Sequence, residues 1–147
     1  MKKLAALLCA ILLCFAGVSA LAEEANPVEG EDVMQMMIGE TAVTVAGEDN
    51  ASVEALKALA VEGLDIEMSM YGGFEQVGAI GQSLPRDDAQ TTTVSGDIVL
   101  YSGNQLVVFY GSNSWVYTRL GHITDQTPAQ MQELLGNGDV TVTLSIE

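Results

Sequence analysis

The chain has 147 residues, 48% of them hydrophobic, with 20 acidic residues against 5 basic ones and a formal net charge of −15. Such a surface repels phosphate backbones and anionic lipid headgroups, so nucleic-acid binding is excluded as a function class. The length suits one domain with an adequate core, and 2 cysteines are too few for a disulfide framework.

Lys2 and Lys3 precede an unbroken apolar and small-residue stretch over 4–18, and Ser19-Ala20-Leu21-Ala22 follows. This order predicts a secretory signal over 1–22, cut after Ala22 by first choice and after Ala20 by second; an uncleaved anchor is the alternative. The protein is therefore expected to be secreted or extracytoplasmic, with no membrane attachment after cleavage. Cys9 and Cys14 both lie in the signal, each preceded by Leu, which disfavours lipidation and leaves the mature chain without cysteine. Lys57, Arg86 and Arg119 are then its remaining basic residues. Residues 23–32 are acidic, carry Pro27 and Gly30, and read as a flexible tether. The domain is expected over 33–147.

Residues 33–38 and 41–46 are two β-like runs, with Gly39-Glu40 suited to a tight hairpin. Asn50 caps a helix over 51–61 whose buried face is Val53, Leu56 and Ala60. As a cap, Asn50 is discounted as a glycosylation acceptor in Asn50-Ala51-Ser52. Residues 64–70 alternate strictly, as a strand with one wet face does. Residues 71–82 are Gly-rich and leave strand or irregular structure open. Residues 84–93 read as a long polar loop. Residues 97–101 and 105–110 are strands joined by Ser102-Gly103-Asn104, apolar enough to be covered on both faces. A turn over 111–114 leads to a strand over 115–123. Thr127, Pro128 and Gln130 spell a capping box with proline at the first helical position; Met131, Leu134 and Leu135 form that helix's buried face, and Gly136 ends it. Val140, Val142, Leu144 and Ile146 alternate as the last strand. Met34, Met36, Met37, Met68 and Met70 lie on strand periods and read as core filling. Seven or eight strands and two short helices in one small domain predict a mostly β, closed or nearly closed barrel.

Several runs carry a resemblance: Gly81-Gln82-Ser83-Leu84-Pro85-Arg86, Gly96-Asp97-Ile98-Val99-Leu100-Tyr101, Val107-Val108-Phe109-Tyr110-Gly111-Ser112-Asn113-Ser114-Trp115, Tyr117-Thr118-Arg119-Leu120-Gly121 and Gly138-Asp139-Val140-Thr141-Val142. Together they resemble the cyclophilin-like fold proteins of bacteria, over roughly residues 34–147. The resemblance implies a cyclophilin-like closed β-barrel of about eight strands with two short α-helices. Some relatives are joined to flavodoxin-like domains, so a flavodoxin-like partner is one expectation. Fold does not carry function with it.

Prolyl isomerisation must lower a barrier of roughly 18–20 kcal/mol set by amide resonance. An arginine donating to the proline nitrogen does this in the cyclophilins, from a Phe-His-Arg strand. That run is missing here, so no catalytic residue is carried over. His122 alone makes no metal site, and Asp87-Asp88 and Glu48-Asp49 lack calcium-loop spacing. Neither a metal nor a cofactor is expected. Arg86, Tyr110, Trp115 and Arg119 fall in the segments that carry the resemblance, and they are the candidate ligand-binding residues. A guanidinium beside aromatic walls suits a small anionic molecule or a peptide. Each arginine has a plainer reading: Arg86 pairing with Asp87 or Asp88, and Arg119 bridging a carboxylate on a neighbouring strand. The expected function is a non-catalytic binding module for a small molecule or peptide; the alternative is a divergent peptidyl-prolyl isomerase.

Overall fold

Ten strands and two helices follow one another along residues 33–147, which the computed structural model describes. The expected signal (1–22) and tether (23–32) lie outside the described residues. The elements are β1 (Met34–Ile38), β2 (Thr41–Val43), β3 (Val45–Gly47), α1 (Ala51–Ala60), β4 (Leu64–Tyr71), β5 (Glu75–Ala79), β6 (Ala89–Thr92), β7 (Asp97–Tyr101), β8 (Gln105–Phe109), β9 (Ser114–Ile123), α2 (Pro128–Leu135) and β10 (Val140–Ile146).

The sheet runs β2-β1-β10-β4-β5-β8-β7-β9-β3, all antiparallel, with β6 on the far side of β9. Its two end strands, β2 and β3, are consecutive in the chain and separated by Thr44 alone. Residues 41–47 thus step from the β1 edge to the β9 edge and bring the barrel close to closure. Asp125 Oδ1 accepts from the Thr44 amide at 3.0 Å, and the Thr44 carbonyl accepts from Thr124 N at 2.9 Å, which fixes the step. The single strand expected over 41–46 is therefore two.

Local signals place both helices. Asn50 Oδ1 accepts from Val53 N at 2.9 Å, and the same side chain donates through Nδ2 to the Arg119 carbonyl at 2.9 Å. Thr127 and Gln130 form the reciprocal capping box. Val53, Leu56 and Ala60 of α1, with Met131 and Leu135 of α2, are buried in the main core. Gln76 reaches the end of α2 from β5, donating to the carbonyls of Leu135 at 2.8 Å and Gly138 at 2.7 Å.

The methionines divide. Met36 and Met68 are buried, whereas Met70 is exposed and does not fill the core. Two further departures come from pairing. The segment expected to be loop contains β6, whose Gln90 and Thr91 lie opposite Val116 and Trp115. The Gly-rich stretch contains β5, held between β4 and β8. Gly78 is required there: a Cβ would stand 2.5 Å from the Glu67 carbonyl oxygen and 2.6 Å from the Met68 sulfur.

Alternation along the β7–β8 hairpin separates two apolar clusters. Ile98, Leu100, Leu106 and Val108 join the main core under the helices. Val99, Val107 and Phe109 join Tyr117 in a second cluster on the opposite face. The hairpin is covered on both sides, as its continuous apolar character predicts.

Candidate functional site

The second cluster floors a cleft. From β9, Tyr117 packs edge-on against Phe109 of β8 (centroids 5.7 Å, interplanar 70°) and against Tyr101 of β7 (6.1 Å, 67°). Phe74, in the turn before β5, stacks on Phe109 (6.5 Å, 6°) and meets Tyr71 edge-on (6.3 Å, 86°). Gly72 has φ +67°, and a Cβ there would run into the Phe74 ring, so glycine lets that ring lie back over the turn. The Phe74 carbonyl accepts from both Tyr110 N and Gly111 N at 2.9 Å, tying the turn to the end of β8.

These walls surround a cavity of about 490 Å³, lined also by Val77, Gln105, Asn113 and Trp115. Asn113 is held rigidly: its amide donates to Thr93 Oγ1 at 3.0 Å, and its Nδ2 donates to Tyr117 Oη at 2.8 Å. Burial pushes the Tyr117 phenol above its ordinary value. Trp115 (56% exposed) and Tyr71 (65% exposed) stand open to solvent at the rim.

Among the described residues one charged side chain lines the cavity. Glu75 begins β5, opposite Tyr71 on β4 and Phe109 on β8. It is 6% exposed, and its Oε1 has no hydrogen-bond partner among the described residues. Loss of hydration pushes its carboxyl from an ordinary 4.5 to about 7.

The structure does not bring the four candidate residues together. Trp115 lines the cleft. Tyr110 points into the main core, 7% exposed, with a buried hydroxyl. Arg86 binds Asp88 Oδ2 through Nη2 at 2.6 Å and Nε at 2.8 Å, and its side chain lies over Gly103. The Thr118 hydroxyl, then Arg86, hold the Asp88 carboxyl below its ordinary value. Arg119 stands on the Tyr117 face of β9 but turns to Asp97 Oδ2 at 3.2 Å and the Thr92 carbonyl at 3.3 Å. Asp97 is buried and also accepts from Val94 N at 2.9 Å and contacts His122 Nδ1 at 2.8 Å. Among the described residues no group of His, Cys, Asp and Glu could hold a metal ion.

Of the lining residues only Trp115 was among the candidates; sequence reasoning missed the others, Glu75 and Phe74 foremost. Glu75 and Gln76 are both polar and both buried, facing opposite sides of β5, so alternation says nothing about which one enters a cleft.

A model of the cyclophilin-like family matches residues 36–146. The chain belongs to the cyclophilin-like family. No curated protein and no solved structure matches it at a significant level. In this cyclophilin-like domain the barrel interior is filled by its own side chains, while the aromatic cleft lies on the other face of the β7–β8 hairpin.

Proposed function

We propose that this cyclophilin-like domain is an exported, non-catalytic binding module that takes a small ligand or a peptide side chain into the Tyr71–Trp115 cleft. The observation that carries the reading is an aromatic-walled cavity of ligand size, about 490 Å³, with two large aromatic side chains exposed at its rim. Binding fits better than prolyl isomerisation. The isomerase chemistry needs an N–H donor aimed at the proline nitrogen, and the two arginines are engaged with Asp88 and Asp97, outside the cleft lining.

Trp115 is the chain's only tryptophan, so its fluorescence reports on the cleft directly. A screen of small molecules and short peptides, proline-containing ones included, should yield ligands that shift this emission. By titration calorimetry, which does not need the fluorophore, Trp115→Phe should keep much of the affinity and Trp115→Ala should weaken binding about tenfold, both with the melting temperature unchanged. Truncating an aromatic side chain that a ligand covers on binding has effects of that order. A proline-peptide assay should show no acceleration over the uncatalysed rate. Acceleration would establish the divergent isomerase instead, and an Ala variant that binds like the parent would remove the cleft from the reading.

Export is supported by the basic, apolar and small-residue order of residues 1–22. N-terminal sequencing of protein recovered outside the cell should begin at Glu23 or Leu21. A cytoplasmic product that keeps Met1 overturns it.

A further inference from the structure

We propose that the cleft takes a primary ammonium group, borne by a small amine or a lysine side chain, with the Glu75 carboxylate as its counter-ion. This rests on the cleft being a binding site, and it names the chemistry the site selects.

Glu75 Oε1 is buried at the cavity without a donor. A buried acceptor left unpaired is costly, more so when it carries charge. The protein does not supply the missing cation from its described residues: Lys57 pairs with Glu54 at 3.7 Å, Arg86 with Asp88 and Arg119 with Asp97. Among the described residues no lysine, arginine or histidine lines the cavity. An incoming ammonium provides both absent elements, an N–H donor and a positive charge.

The walls select the same chemistry. Tyr71, Phe74, Tyr101, Trp115 and Tyr117 line the space beside Glu75, and aromatic faces attract a cation through their quadrupole. Gln105 and Asn113 add side-chain amides beside them. An anion would meet Glu75 with no arginine to offset it. At long range, a net charge of −15 draws cations toward the surface.

The site also has a pH signature. The carboxyl is pushed up to about 7, so an amine must bind the ionised form and displace a proton at lower pH. The other ionisable groups facing Glu75 across the cleft are the phenols of Tyr71 on β4, Tyr101 on β7 and Tyr117 on β9. Affinity should therefore rise about tenfold per pH unit up to 7 and level off above it.

The test compares 3-methylbutylamine with 3-methylbutan-1-ol, two probes of one carbon skeleton, by Trp115 fluorescence at pH 8. The amine should bind at least tenfold more tightly. Glu75→Gln should abolish that preference while the variant melts cooperatively. N-acetyl-lysine methylamide serves as a third probe. Binding well above the free amine identifies a peptide-borne ammonium; binding at or below it identifies a small amine. Equal affinity for amine and alcohol, or a preference that survives Glu75→Gln, overturns the ammonium assignment. The cleft reading still stands if the alcohol binds in a Trp115-dependent way. If neither probe, nor any molecule of the broader screen, shifts Trp115, both fall.

Discussion

Leu144→Asp should leave the domain unfolded at room temperature, with no cooperative thermal transition by circular dichroism. Leu144 is fully buried in the main core on β10, opposite Met36 of β1 and Leu64 of β4. The substitution removes its isobutyl packing, a loss of about 2–5 kcal/mol for a buried leucine. It also buries a carboxyl without a partner, at a cost of several kcal/mol more. A domain of this size holds roughly 5–15 kcal/mol in total. An unchanged melting curve would show that β10 does not lie in the core.

Glu75→Gln should raise the stability of the domain at pH 8 and leave it nearly unchanged at pH 4.5. The folded carboxyl titrates at about 7, above its ordinary value of 4.5. Between those two values the native state holds a proton that the unfolded chain has released. Stability therefore falls as pH rises from about 4.5 to about 7, and the loss is constant above that. At about 1.4 kcal/mol per pH unit over an interval of about 2.5 units, the accumulated loss is about 3–4 kcal/mol, which a neutral glutamine avoids. The variant should melt roughly 10 °C higher at pH 8. Paired melts at the two pH values decide the matter: a gap of equal size at both would mean that Glu75 is not the group whose ionisation strains the fold.

What could be read from the sequence was local. A cap needs only a side chain and an amide three residues away, so Asn50 and the Thr127–Gln130 box were legible without knowing anything distant. The alternation over residues 64–70 and 140–146 records one buried face and needs no partner to be recognised. β6 was not legible, because residues 89–92 have no apolar rhythm and are a strand only through their pairing with β9. The break at Thr44 is set by which strand edge lies on either side of it, again a distant fact. In the site, Trp115 was readable as an aromatic within a family-bearing run, and Arg86 had its acidic partner two residues away. Arg119 finds its partner on a neighbouring strand, 22 positions distant, so its direction could not be told from its neighbours in the chain. Glu75 enters the cleft because β5 is threaded between β4 and β8, a consequence of sheet order rather than of composition.

The placement of β10 governs when this chain can fold. It is the last strand made, yet it sits between β1 and β4, two of the early ones. A nascent chain emerging in order has β1 and β4 on hand but nothing to join them, and the hairpins formed meanwhile cannot close the barrel. Closure waits for the final seven-residue strand, and so depends on pairings of very high sequence separation. Until then β1 and β4 each keep one edge without its partner, and the barrel stays open between them.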